Sequence, residues 1–382
     1  MDQVVHIWEF GPRIGIRLHP DFLRRINDEL RQAFKTKRNA YTFIEKEHHI
    51  SFSSFKNLLK LSHSEFVPLE IFLTLCAKLQ ISRHELEENV VAYKSVRSHN
   101  YVENPKLPLR ITPIFDMLIA HHIADGTVVD TKRNRRPYFS YRQCDNEYMD
   151  LYRKKMSSLC GDIQYNQLDR DKTRTYCPSF LSWVLFRHYG LNSKSFLSLS
   201  ARVPEGLFSK NREHLLAFLI AFIVDEGSID SSMIVIGLKN PLLAEDLYRI
   251  CQRLGYNASY KERRGEYGYL HILSSGVKKF WSDYLELRKT YAEVDLGRQG
   301  RKLERSFLYS TRKIRYVAGN KKIVLDVLQD NSLTVNELAD QLRMTRQGAR
   351  FLVKSLISEG LVHKKPTKKS ENQTYSLKTD SE

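Results

Sequence analysis

Cysteine is scarce and scattered in this chain of 382 residues. The five thiols, Cys76, Cys144, Cys160, Cys177 and Cys251, are odd in number and show no C-x-x-C spacing. That excludes a disulfide framework and a cysteine-based zinc site, and it suits a reducing cytosol. Long apolar runs are missing too, and no uncharged stretch approaches a membrane span. The opening residues, "MDQVVHIWEFGPRIG", lack a basic region leading into an apolar core, so no secretory leader is expected there. Acid is deficient: 44 Asp and Glu stand against 61 Lys and Arg, a formal charge of +17. Such an excess points to a polyanionic partner, bound by phosphate neutralisation and counterion release. The expectation is a cytoplasmic, nucleoid-associated protein with no membrane partner.

What is present is enough for real cores. The hydrophobic fraction is 42%, and the length calls for two or three domains. Residues 1–100 read as a helical domain. "DFLRRINDELRQAF" has helical period, and "PLEIFLTLCAKLQIS" reads as a later helix. In "EKEHHISFSSFKNLLK" one helix stops near His49 and Ser51 or Ser53 caps the next, which shows Ser54, Lys56 and Lys60 to solvent. The fragment resembles the helix-turn-helix of phage-repressor-type DNA-binding domains.

Residues 101–295 contain an internal repeat, with units at about 112–195 and 212–290. The stretches "LIAHHIADG" and "FLIAFIVDEG" each end an apolar helix on an acid and a glycine. Behind each come a strand pair, a helix, a second strand pair and a closing helix. The order helix-strand-strand-helix-strand-strand-helix thus occurs twice. Residues 296–382 hold a basic connector, with Glu304 as the lone acid of "GRQGRKLERSFLYSTRKIRYVAGNKK", and a small domain. "KKIVLDVLQD", "TVNELADQLR" and "TRQGARFLVKSLISEG" read as three helices, followed by a basic hairpin. That pattern matches a winged helix-turn-helix. Thr334 with Glu337 makes a capping box, and Thr345 caps the third helix. Arg346, Gln347, Arg350 and Lys354 lie on or near its exposed face, where a recognition helix meets bases and phosphates. Lys364, Lys365, Lys368 and Lys369 populate the wing.

The paired helix ends carry the chemistry. Ala120 and Ala124 share one helix face, as do Ala217 and Ala221, so two backbones can approach closely. Gly126 and Gly227 are suited to left-handed C-caps. Just before them, Asp125 and Glu226 sit where the helix dipole is already negative. Two acids and two dipole ends in one place repel, and a divalent cation relieves the conflict. Oxygen donors of this kind suit magnesium, which can activate water and stabilise a phosphodiester's leaving oxygen. His121 and His122 point about 100° apart on their helix. One packs in the core and the other against the sheet, and neither has the spacing of a zinc ligand.

The two stretches resemble diverged LAGLIDADG motifs, the signature of single-chain LAGLIDADG homing endonucleases and their relatives. The resemblance covers about half the chain. It implies an α+β fold, a duplicated αββαββα saddle over double-stranded DNA, flanked here by the two helix-turn-helix regions. It places Asp125 and Glu226 at the metal-binding positions and makes the chain a Mg2+-dependent endonuclease. Its sheets would carry Lys132, Arg133, Arg135, Arg136 and Arg142 in one repeat, and Lys261, Arg263 and Arg264 in the other. The family often places a basic residue near the metals; Lys194, or Arg202, takes that part by position. Asp225 occupies a small-residue position and lines the site edge rather than binding metal. The histidine pair, and alanine in place of the usual glycine at the third motif position, depart from the pattern.

Other readings stay open. Another family joins LAGLIDADG-like domains to a helix-turn-helix, has lost its acids and acts in bacterial transcription, so a catalytically silent regulator is the second. An RNA-binding intron splicing factor is the third, since basic grooves distinguish RNA from DNA poorly. With both repeats in one chain, a monomer is expected.

Overall fold

The computed structural model describes residues 3–11, 13–58, 66–96, 98, 100–131, 135–165, 174–230, 233–311, 320–329, 331–342, 344, 346–365 and 373–377. The first part is not the purely helical unit expected. Strands β1 (Val4–Val5) and β2 (Ile14–Leu18) precede helices α1 (Pro20–Phe34), α2 (Lys37–Glu45) and α3 (Phe52–Leu58). Then come β3 (Val67–Pro68), α4 (Leu69–Leu79), α5 (Arg83–Glu88), β4 (Val90–Ser95), β5 (Tyr101–Glu103) and β6 (Leu109–Arg110). The helices follow the apolar period: Phe22, Leu23, Ile26 and Leu30 of α1 are all buried. Ser51, not Ser53, starts α3, its Oγ accepting from the Ser54 amide at 3.1 Å. Ser54 and Lys56 are exposed as expected, and Lys60 lies outside the described residues. The strands left little trace in the sequence because β2 is buried along nearly its whole length, which erases the alternation of a half-buried strand.

The central region begins with α6 (Pro113–Ala124), β7 (Gly126–Thr131), β8 (Arg135–Arg142), α7 (Asn146–Cys160), β9 (Asp162–Gln164), β10 (Arg174–Tyr176) and α8 (Ser179–His188). A 3-10 turn, Ser193–Phe196, and the short α9 (Glu205–Phe208) lead on. The element order then recurs: α10 (Arg212–Asp225), β11 (Gly227–Asp230), β12 (Met233–Leu238), α11 (Pro241–Arg253), β13 (Ala258–Arg263), β14 (Tyr267–Ile272) and α12 (Ser274–Thr290).

The second unit forms one antiparallel sheet, β11-β12-β14-β13. The first does not match it. Its sheet is β7-β8-β10, while β9 pairs with β5 and completes a five-stranded sheet, β3-β2-β4-β5-β9. The boundary expected near residue 100 therefore runs through a shared sheet and a shared core extending from Ile7 to Leu303. Helices α6 and α10 pack on each other along the centre of that core. Both are apolar on almost every side, as a helix surrounded by protein must be. Ala120, Ala217 and Ala221 are wholly buried, which leaves room for close backbones.

Helix α13 (Arg298–Thr311) opens the basic connector and docks on both units. Arg298 and Arg301 pair with Asp145 and Glu147 at the start of α7, and Gln299 Nε2 donates to Gly227 O at 2.7 Å. The last part has its own core, built from Val324, Leu328, Leu338, Leu352, Leu356 and Val362 among others. It runs α14 (Asn320–Leu328), β15 (Leu333–Thr334), α15 (Val335–Gln341), α16 (Arg346–Ser358), β16 (Val362–Lys365) and β17 (Thr374–Leu377). The strands pair in the order β15-β17-β16. Thr334 and Glu337 cap α15 reciprocally, at 3.2 and 2.7 Å. Thr345 lies outside the described residues. No helix among the described residues is long and apolar enough to cross a membrane.

Candidate functional site

Asp125 and Glu226 end α6 and α10 with nearly the same backbone, φ and ψ of −116° and 8° against −114° and −7°. Each amide closes its helix, donating to His121 O at 3.0 Å and to Phe222 O at 2.9 Å. The glycines that follow are not the left-handed caps expected, since neither has positive φ. They open β7 and β11, and the chain doubles back tightly there. A Cβ on Gly126 would lie 2.4 Å from His122 Cα, and one on Gly227 would lie 2.4 Å from Ile223 O. Glycine is required by close approach to backbone four residues earlier, not by φ.

The acids are partly buried at the ends of packed helices, and both resist ionisation. Burial, with the charge of Asp225 nearby, raises the Asp125 carboxyl to about 7. Burial, with the charges of Asp125 and Asp225, raises Glu226 to about 7. Gln143 Nε2 donates to Asp125 Oδ2 and fixes one of its oxygens. Among the described residues no group of three or more His, Cys, Asp or Glu is placed to hold a metal. A donor set of oxygens whose negative charges oppose each other fits a hard divalent cation.

Behind the pair lies a buried polar cluster. Asp225 is not at the site edge; its side chain is 0% exposed. His121 Nδ1 lies 2.8 Å from Asp225 Oδ2, and Tyr141 OH donates to Oδ1 at 2.6 Å. His122 faces the other way, stacked on Phe139 of β8 at 3.8 Å, with its Nε2 hydrogen-bonded to Tyr152 OH at 2.9 Å. One imidazole thus meets the partner helix and the other the sheet. Burial holds both far below the usual histidine range. Lys155 of α7 is fully buried, and among the described residues its ammonium has no hydrogen-bond partner. Burial lowers it to about 8, opposed first by the negative charge of Asp225.

Lys155 is thus a buried basic group facing Asp225; the basic residues expected from sequence position lie as follows. Lys194 is exposed on the 3-10 turn. No hydrogen bond or ion pair among the described residues joins it to either acid. Arg202 is committed to Asp246, with Nε at 2.6 Å and NH2 at 2.7 Å from its oxygens. Nothing local marks Lys155 within "LYRKKMSS", because its burial is decided by distant chain.

The basic residues separate by place. Arg142 is exposed at the end of β8; Arg135 and Arg136 belong to the same strand. Lys132 and Arg133 lie outside the described residues, as do Lys368 and Lys369. Lys261 and Arg263 are exposed on β13, and Arg264 is exposed in the following turn at φ 57°. Lys261 stands opposite Tyr269, and Arg263 opposite Tyr267, so these four share one face of the second sheet. The tyrosines were legible in the alternation of "YGYLHI", whose Gly268, Leu270 and Ile272 are buried. Arg346, Gln347, Arg350 and Lys354 are exposed on α16, Lys364 is exposed on β16, and Lys365 ends that strand.

No protein-family model matches this chain, and no curated protein matches it significantly. Solved structures do resemble it, at low identity. A variant of I-DmoI in complex with its target DNA in the presence of Mg is 18% identical, with a TM-score of 0.32, covering 45% of this chain and 94% of its own. I-WcaI, a homing endonuclease bound to its DNA recognition sequence, is 11% identical, with a TM-score of 0.30 and coverages of 45% and 81%. Full-length DUF199/WhiA from Thermatoga maritima is 13% identical, with a TM-score of 0.25 and coverages of 65% and 90%. The structural neighbours are thus LAGLIDADG homing endonucleases and WhiA, each alike over part of this chain.

Proposed function

We propose that this protein is a sequence-specific DNA-binding protein and a metal-dependent endonuclease that hydrolyses phosphodiesters in double-stranded DNA. The observation that carries this reading is the convergence of Asp125 and Glu226. Two like charges at two negative helix ends are costly, and nothing in a purely structural role requires them. Asp125 and Glu226 would hold the cation, magnesium being the best match to oxygen donors. When bound, such an ion activates a water and stabilises the leaving oxygen. The chain's own residues do the rest. Gln143 holds Asp125 in one orientation. Asp225, His121 and Tyr141 fix the end of α10 against α6 and so set the spacing of the two acids.

The partner face in this reading is the basic and tyrosine-bearing side of the sheets, with Arg142, Lys261, Arg263 and Arg264 on phosphates. The last part acts as a winged helix that lengthens the footprint and raises affinity through effective concentration. A monomer suits this reading, because the seam pairs two unlike repeats of one chain. His121 finds its carboxylate on the other repeat; two copies of the first repeat facing each other would oppose His121 to Ala124, the counterpart of Asp225.

Incubation of the full chain with a randomised double-stranded DNA pool and magnesium tests the proposal. Double-strand cuts that vanish in both Asp125→Asn and Glu226→Gln are expected. Tight binding without cutting under any divalent metal, unchanged by either substitution, would leave the regulator.

A further inference from the structure

The two acids are supported differently. In the first repeat a glutamine of the repeat itself holds Asp125: Gln143, two residues before the α7 N-cap Asp145, donates to Oδ2. Counted back from the α11 N-cap Asn240, the same position in the second repeat is Leu238, whose side chain has no polar group to offer. There a glutamine comes from outside the repeat. Gln299 of α13 donates through Nε2 to Gly227 O at 2.7 Å, and Gly227 directly follows Glu226. The carbonyl lies on β11, the edge strand of its sheet. It belongs to the residue on which the chain doubles back against Ile223, so holding it fixes the direction in which the end of α10 presents Glu226.

The place of Gln299 is set from both repeats. Leu296 and Leu303, on either side of it, are wholly buried. Gly297, at φ 53°, turns the chain into α13 hard against α7, and a Cβ there would lie 2.8 Å from Tyr148 Cε1. Arg301 grips Glu147 with two nitrogens, at 3.0 and 2.8 Å, and Arg298 reaches Asp145 at 2.9 Å. Helix α13 thus rests on the start of α7 in one repeat and on β11 in the other. Gln299 Oε1 is buried, and among the described residues it has no donor. An apolar side chain would fill the same place without stranding an acceptor, so packing alone does not account for an amide here.

We propose that Gln299 is a positioning residue that holds Glu226 in the orientation needed to share a cation with Asp125, the part Gln143 takes for Asp125 from within its own repeat. This rests on the endonuclease reading above. It makes the first helix of the basic connector a support of the site, so the segment that leads to the last part begins by holding one of the two acids.

The test compares the natural full chain with Gln299→Met, which keeps the volume and removes the amide, and Gln299→Asn, which keeps the amide and is one methylene too short to reach. Should melting curves show Gln299→Met unfolded, Gln299→Asn carries the comparison. All three are assayed on a double-stranded site selected from a randomised pool. Affinity for that site in EDTA should be unchanged. Manganese binding, read by electron paramagnetic resonance, should weaken about tenfold in both variants, and single-turnover cleavage at saturating protein should slow by about as much, the usual effect of removing a group that orients a metal ligand. Variants that bind manganese and cut as the natural chain does would overturn the inference. So would a loss of DNA affinity in EDTA as large as the loss of cleavage, which would make Gln299 a DNA contact or a general support of the fold. A natural chain that neither binds manganese nor cuts would overturn the endonuclease reading itself, and this inference with it.

Discussion

The two repeats end alike and are built differently. Aligned on their terminal acids, Leu118 to Gly126 matches Leu219 to Gly227. Both chains reverse at glycine against the backbone four residues earlier, and both present one carboxylate. Behind that end the helices diverge. The first carries His121, His122 and Ala124 where the second carries Phe222, Ile223 and Asp225. At the other end the contrast inverts, since Asp116 of α6 stands where α10 has Ala217. Asp116 is fully buried and takes Lys210 at 2.9 Å, with His214 of α10 and Tyr189 also bonded to it. Each helix therefore supplies one buried carboxylate, at opposite ends of an apolar seam, and each carboxylate is met by a histidine of the other helix. An apolar seam alone tolerates slippage and like-with-like pairing. Two polar ties, each costly to break, allow only one partner and one register.

This contrast can be broken experimentally. The acids should prove equal despite their unequal surroundings: Asp125→Asn and Glu226→Gln should each cut the cleavage rate by at least about a hundredfold while DNA affinity in EDTA holds. A large loss from one and none from the other would mean that the repeats are not a matched pair. The ties come next. Asp225→Ala strands Lys155, His121 and Tyr141 and should cost about 3–5 kcal/mol by denaturant melting. Combined with His121→Phe, which gives both helices the other's residue, part of that loss should return, a coupling of about 1–3 kcal/mol. Strictly additive losses would remove the tie from the account.

Smaller effects follow from the raised carboxyls. With its folded value near 7 and its unfolded value lower, Glu226 binds more protons in the folded state between the two. Stability therefore falls as pH rises through that window, and the full penalty is present above pH 7. Glu226→Gln should raise the metal-free melting temperature at pH 8 by roughly 2–4 °C, the shift for about 1 kcal/mol. It should make little difference at pH 5. Cleavage by the natural protein should rise with pH through about 7, as both acids lose their protons, and level above it.

Much of the site was legible because its signal is local and occurs twice. An apolar helix that ends on acid and glycine needs no distant information to be noticed, and the repeated order of elements fixed its partner. The supporting residues are non-local. Asp225 looked like a second acid at a helix end, and only the packing of α6 against α10 buries it. Arg202 looked free until Asp246 met it. Strand β9 was expected beside β10, yet its neighbour is β5, some sixty residues earlier in the chain. Gly126 and Gly227 were identified for the wrong reason: glycine at a helix end serves a left-handed turn or a close approach, and sequence alone does not choose between them.

The central claim is that Asp125 and Glu226 share one divalent cation. Manganese titration of the full chain on its selected DNA, followed by electron paramagnetic resonance, tests it directly. The account predicts tight stoichiometric binding in the natural protein and its loss in Asp125→Asn and Glu226→Gln alike. Tight binding that survives both substitutions would contradict it.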